Sequence, residues 1–351
     1  MVGPWSSTAA TLKSLAYAAG DEVIESIRKA TNEEWDSIVD TADSAIYFQT
    51  REWFDIWADY AGFESNTRLI RFDSGKTVLL PLARVNLLKG LVKVHVLAPK
   101  GMGGFLTNDE LDADEKKELF EVLKKVGMAY FAVNPYDVLT NQFDGFTAED
   151  FTQVLDLREG FEAIFKKWTI GHSSAVKKGI REGITVEAAS TENDWKSFFE
   201  VYLAFLARQD KNATNNYRWE LFEIMFRKKS PHIKLWLAKY RGQVISGALN
   251  FYHHHHVAGW HGATLQEFYR LNPFHVLQYH IIREACEKGF QVYDFMPSNG
   301  RGGVIHFKNG FSPQKKPVRI YMSPLMRRSS ALRVKVRNNP VYKFIMKNTG
   351  F

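Results

Sequence analysis

The sequence predicts a mixed α/β (α+β) chain made of two similar tandem units, each a mixed central sheet flanked by helices. Three observations carry that reading. The chain has 351 residues, long for one core, so two domains of ordinary size are expected. Two pairs of segments align in the same order. FDSGKTVLLPLARV lies on KYRGQVISGALNFY with Gly75 on Gly242, and EVLKKVGMAYFAVNP lies on REACEKGFQVYDFMP with Gly127 on Gly289 and Pro135 on Pro297. Nearly equal offsets at two anchors point to a duplicated unit. The order helices, hairpin, strand, helix, strand closes into a mixed sheet with helices packed on it.

The elements follow in order. Residues 1–30 read as a loose leader, because the opening MVGPWSSTAATLKSLAYAAG lacks a basic stretch and Lys13 interrupts its apolar part. From Asn32 to Tyr60, acidic residues crowd a first turn and Trp53, Ile56, Trp57 and Tyr60 recur at helical spacing. Thr67–Val85 alternates as a hairpin turning at Asp73-Ser74-Gly75. Leu91–Leu97 reads as a strand before the loop PKGMGGFLT, Asp112–Val126 as a helix stopped by Gly127, and Met128–Val133 as a strand ending at Asn134-Pro135. The first unit spans 31–157 and the second 158–325. In the second, Ser197–Gln209 and Trp219–Lys228 are helical. Lys234–Tyr252 is a hairpin turning at Arg241-Gly242, and Val257–Ala263 pairs onward. Phe274–Lys288 is a helix stopped by Gly289, and Gln291–Phe295 a strand. Residues 326–351 read as a basic helix packed on the second unit, with RNA or anionic lipid as the alternative contact for its cations.

Composition narrows the classes. Hydrophobic content of 45% and aromatic content of 14% argue against long disorder. A net charge of +7 favours anionic partners: phosphorylated substrates, RNA or an acidic membrane face. The single cysteine, Cys286, excludes an intrachain disulfide and suits a reducing cytoplasm. No apolar run is long enough to span a membrane. The tract His253–His256 sits at a predicted turn, where alternate residues face opposite ways and no acidic or cysteine ligand adjoins, so no metal site is expected.

Two stretches hold candidate chemistry. Phe290–Gln314 runs from a strand ending at Asp294 through a loop with Gly300, Gly302 and Gly303, then resumes as a strand, IHFKNGF, with Lys308 between Phe307 and Gly310. Ligands commonly sit at strand ends followed by glycine loops. The plain alternative is a hairpin with a solvated lysine. The glycine loop and HFKNGF have no counterpart in the first unit, which favours Lys308 over Asp294 as the seat of chemistry. Phe161–Glu182 reads as one basic helix interrupted by His172-Ser173-Ser174, which caps it. Lys177 and Lys178 stand four and three residues before Arg181, a spacing that gathers cations on one side for phosphate or simply for water.

AVKKGIREGITVE, LAKYRGQVISGAL, EKGFQVYDF and FKNGF together resemble the Fem-type branch of the GNAT acyltransferase superfamily, and VLLPLARV with GMGGFL resembles that family's other GNAT-like domain. The resemblance runs from Asp36 to Tyr321. It departs at Met296-Pro297, where the family often has glycine, and no long helical arm is inserted in the second half. It implies tandem GNAT-like domains and transfer of an acyl group to an amine or hydroxyl. The expected donor is aminoacyl-tRNA and the expected acceptor a small molecule or peptide with an amine, such as a peptidoglycan precursor. DNA is not an expected partner, and peripheral contact with an anionic membrane is. Acyl-CoA is the second donor: the place of its pyrophosphate turn reads FYRLNPFHVLQ, without glycine. No cofactor is expected. Carried over, Lys308 lies beside the reacting carbonyl, Phe307 shapes the pocket and offers a backbone N–H, and Lys178 and Arg181 hold an anionic part of a substrate. Asp294 stands ready as a proton acceptor or as a loop anchor. Lys177, Trp260, His261, Arg301, Gly303 and Tyr252 complete the expected substrate-binding set. A non-catalytic module holding an anionic envelope polymer is the third reading.

Overall fold

The computed structural model describes residues 23–87, 92–208 and 216–323. The first half contributes β1 (Ile24–Lys29), α1 (Asn32–Val39), α2 (Arg51–Ala61), β2 (Glu64–Ser65), β3 (Arg68–Phe72), β4 (Thr77–Leu80), β5 (Ala83–Leu87), β6 (Val92–Val96), α3 (Ala113–Lys125), β7 (Met128–Ala132) and β8 (Ala148–Asp156). The second contributes α4 (Phe161–Lys167), α5 (Ile170–Arg181), β9 (Thr185–Ala188), α6 (Glu192–Ala207), α7 (Trp219–Lys228), β10 (Ile233–Tyr240), β11 (Gln243–His253) and β12 (His256–Thr264). It ends with α8 (Pro273–Glu287), β13 (Val292–Asp294), α9 (Gly302–Asn309) and β14 (Gln314–Met322).

Local chemistry sets many of these boundaries. Thr31 starts α1 by accepting from the Glu34 N–H, while the Glu34 carboxylate accepts from the Thr31 N–H. Asp112 and Glu115 do the same for α3. Gly75 and Gly242 turn their hairpins at φ 84° and 81°, and Gly127 and Gly289 stop α3 and α8 at φ 74° and 78°. These are left-handed positions that favour glycine, and they are the aligned anchors of the two halves.

The strands form a small sheet, β1-β3-β4, and a large one ordered β2-β5-β6-β7-β14-β8-β13-β12-β11-β10-β9. In each half the strand before the long helix pairs in parallel with the strand after it: β6 with β7, and β12 with β13. The other pairings are antiparallel. The two halves are joined by the sheet itself, through β13 on β8 and β14 inserted between β7 and β8. They are joined again by one apolar core that gathers Trp53 and Trp57 of α2 with Phe198 of α6, Phe222 of α7 and Phe251 of β11. The rings of Tyr47 and Phe251 stack across this junction with centroids 4.6 Å apart. Among the described residues no helix is long and apolar enough to cross a membrane.

Four local expectations change. Residues 24–29 of the expected leader form β1, paired with β3. The first hairpin ends at Leu80. Pro81 cannot donate to a ladder, and the chain crosses to the large sheet as β5. The basic helix is two helices, broken at Trp168, with Thr169 rather than the His172-Ser173-Ser174 trio capping α5. IHFKNGF is helical through Asn309, as the end of α9, rather than a strand. A short apolar run satisfies either period, and tertiary contacts decide it. The expected helix at 326–351 lies outside the described residues.

Candidate active site

The parallel pairing of β12 with β13 lasts three residues, from His256↔Val292 to Ala258↔Asp294. Beyond it β12 continues to Thr264, while the other chain turns away after Asp294. The strands splay, and a cavity of about 550 Å3 fills the wedge. Its walls are β12 from Gly259 to Thr264, the 295–299 turn, the start of α8, the end of α6 and one face of α9.

Asp294 makes the chain turn. It is fully buried, and its Oδ1 accepts from the Met296 N–H at 2.7 Å and from the Thr152 hydroxyl. Its Oδ2 accepts from the Tyr136 hydroxyl at 2.9 Å, a contact from the first half of the chain. Burial alone raises the Asp294 pKa, but the neighbouring His256 and these donors outweigh it and hold the carboxyl below its usual range. His256 stands 3.6 Å from Oδ2, so its help is electrostatic rather than a hydrogen bond. The next residue but one, Met296, has φ 60°, a left-handed conformation rare outside glycine. That explains why the Fem-type pattern often places glycine here.

The turn presents two oxygens to Lys308. The ammonium donates to Met296 O at 2.7 Å and to Ser298 Oγ at 2.8 Å. An ammonium has three N–H bonds, so one is left for the cavity that Lys308 lines. The side chain is only 9% exposed. Burial draws its pKa down to about 8, against the partial support of Asp294 and Asp150. On the other side of α9, the His172 Nε2–H donates to Phe307 O at 2.9 Å. Gly310 admits this ring, since a Cβ there would stand 2.0 Å from His172 Cε1. His172 therefore positions the Phe307-Lys308 pair.

The structure brings together Lys308, Phe307, Trp260, His261, Arg301 and Gly303, which all line the cavity. Burial pushes His261 down to about 3, with Arg301 and Lys100 adding to it, so the ring is neutral at physiological pH. Other expected members stand elsewhere. Asp294 is not on the cavity wall, and its oxygens are committed to the turn, so it is an anchor rather than a proton acceptor. The Phe307 N–H lies within α9, where the helical ladder takes it. Tyr252 is two residues past the cavity on β11, 2% exposed, with its ring against Phe290 and its hydroxyl accepting from Trp236 Nε1. Lys177, Lys178 and Arg181 do not line the cavity. They project from α5, which packs on α8 so closely that a Cβ at Gly179 would stand 2.5 Å from Val276 Cγ2. Of the histidine tract, His253 and His254 both direct Nε2 to Val39 O.

The start of α8 bears on the donor. Pro273 has no N–H to give, and the N–H groups of His275 and Val276 already bond Asn272 O. The Phe274 ring lies so close to Gly262 that a Cβ there would stand 2.4 Å from it. This helix N-terminus does not offer a bare cradle to a pyrophosphate.

Residues 173–309 match the family model of the acetyltransferase (GNAT) domain. The structure is similar to that of FemX, at TM-score 0.66 and 14% identity over 89% of this chain and all of that one. It is also similar to the C-terminal domain of a putative lysylphosphatidylglycerol synthetase from Agrobacterium fabrum, at TM-score 0.54 and 13% identity over 87% and 95% of the two chains. L-PGS from Bacillus licheniformis gives TM-score 0.51 and 12% identity over 82% and 95%. No curated protein sequence matches the chain. The chain carries the Fem-type, tandem GNAT-like fold of the acyltransferases.

Proposed function

We propose that the protein is an N-acyltransferase that moves an aminoacyl group from aminoacyl-tRNA to an amine. One observation carries the reading: a desolvated ammonium, Lys308, that lines the wedge cavity and is held by two oxygens, with one N–H left over. The acceptor nitrogen attacks the ester carbonyl, the N–C bond forms, and the C–O bond to the ribose breaks. The amine's proton ends on the leaving hydroxyl. Negative charge gathers on the carbonyl oxygen meanwhile, and a preorganised cation in a dry site stabilises it. The start of α8 argues against acyl-CoA as donor. A neighbour named for lysylphosphatidylglycerol synthesis supports an aminoacyl group as the one moved.

The test is transfer of label from a pool of charged tRNA to amine acceptors. Lys308→Ala is expected to lose roughly 100-fold or more in kcat, the scale of one lost oxyanion donor, with its melting temperature close to wild type. Equal activity in wild type and variant overturns the reading. Calorimetric titration with CoA is expected to show no binding, and tight binding with acetyl transfer replaces aminoacyl-tRNA by acyl-CoA as donor.

A further inference from the structure

A second cavity, of about 170 Å3, adjoins the first. It occupies the corresponding wedge of the first half, bounded by Val96 at the end of β6 with Leu97 and Ala98 after it, by Tyr130 to Ala132 of β7, and by Val318 and Ile320 of β14. Trp260, His261, Met296, Pro297 and Asn299 belong to the walls of both cavities. The two compartments therefore meet at the turn that holds Lys308.

Two ionisable groups of opposite charge stand in the smaller compartment, Lys100 and Asp150. Lys100 sits at φ 54°, a left-handed backbone for a residue with a long side chain. Its ammonium lies 5.8 Å from the centroid of the Tyr217 ring. Desolvation brings its pKa down to about 8. No hydrogen bond or ion pair of this ammonium is formed with the described residues. A desolvated cation with only a ring face beside it is stabilised by an anion.

We propose that the smaller compartment seats the acceptor, a small primary amine whose single carboxylate pairs with Lys100: an amino acid or the carboxyl end of a short peptide. The proposal rests on the acyl-transfer reading above. Three features select this class. The volume of about 170 Å3 is well below the roughly 300–1,000 Å3 of pockets for drug-sized ligands, which favours a small acceptor over a nucleotide-sized one. Asp150 on the same wall repels a phosphate dianion more than a carboxylate and attracts an ammonium. His261, neutral at the junction, adds no charge against the amine as it approaches the larger cavity.

Thermal stability with ligand added tests the seat without turnover, because anything that binds the folded state alone stabilises it by mass action. The standard amino acids and their amides are screened with wild type, Lys100→Met and Lys100→Arg. At least one free acid is expected to raise the wild-type melting temperature, its amide not to, Lys100→Met to lose the shift and Lys100→Arg to keep it. No shift with any acid, or a shift unaltered in Lys100→Met, overturns the proposal. With charged tRNA present, the same acid is expected to outperform its amide by about tenfold or more in kcat/KM, through KM, the scale of one charged hydrogen bond. Lys100→Met removes that preference. A ligand shift without any transfer keeps the seat and rejects the acyl-transfer reading.

Discussion

The two wedges share one design and differ in what fills them. In the second half, β12 and β13 part after Ala258 and Asp294 and leave the large cavity open. In the first, β6 and β7 part after Val96, but the chain returns to plug part of the gap and leaves the smaller cavity. Gly103 bridges to Val133, with its N–H on Ala132 O at 3.0 Å and its O accepting from Asn134 N–H at 2.7 Å. The plug is made of glycines because nothing larger fits. A Cβ at Gly103 would stand 2.9 Å from Leu97 Cβ, and one at Gly104 would stand 2.1 Å from Asp137 Oδ2. The second half has instead a glycine loop that leads into α9, where a Cβ at Gly302 or Gly303 meets nothing within 4 Å. The same residue type thus narrows one wedge and leaves the other free. Glycine in the first is packing, and in the second it leaves the larger cavity open beside the buried Lys308.

Three experiments press on this contrast. The largest effect is expected from Gly104→Ala, which drives a methyl into Asp137 and Thr140 and costs about 3 kcal/mol, the upper range for overpacking. Gly303→Ala is expected to be neutral or to gain a few tenths of a kcal/mol, about what alanine offers an exposed helical site. Equal losses in the two, read by urea denaturation, break the contrast. Next in size is the pH dependence of transfer. The rate is expected to fall above about pH 8 as Lys308 loses its proton. Lys308→Arg, which keeps its charge, removes that limb. A high-pH limb that persists in Lys308→Arg contradicts the role given to the ammonium. The effect of Lys308 on stability has the opposite sign. Its folded pKa lies below the unfolded value near 10.5, so the folded state releases its proton first and stability rises between about pH 8 and that value. The smallest effect is expected from Met296→Gly. Relief of a left-handed backbone is worth about 1 kcal/mol, and the added freedom of the unfolded chain offsets most of it. A melting temperature within about 2 °C of wild type is expected, and a larger fall shows that the Met296 side chain carries the turn.

The repeated unit was legible because its signals are local. Gly75, Gly242, Gly127 and Gly289 all occupy left-handed positions that only a few residue types accept, in the same order in the two halves. The two similar α/β units followed from that order, but not the single large sheet that runs through both. The site was harder to read. Lys308 stood out through resemblance and through having no copy in the first half. Its helical setting was hidden, because Val304, Ile305 and Phe307 suit a strand equally well. The contacts that shape the site are long-range. Tyr136 reaches Asp294 across 158 residues, and His172, which local chemistry cast as a cap, reaches Phe307 across 135. Lys100 lies in a loop marked only for its glycines, and its place opposite His261 exists only after both halves pack. A glycine expected by resemblance at 296 and not found there was the one local hint of the strained turn.

The strand order has a consequence for how the chain is made. β7 and β8 do not pair with each other, since β14, the last of the described strands, lies between them. A ribosome delivers the first half with a slot in its sheet that stays unfilled until residues 314–322 emerge. Domains usually fold as units while synthesis proceeds, N-terminal first. Here the N-terminal half cannot finish its own sheet by itself, so no partial chain ending before β14 can close both cavities. A chain that stops before residue 314 therefore lacks Val318 and Ile320 of the smaller cavity's wall.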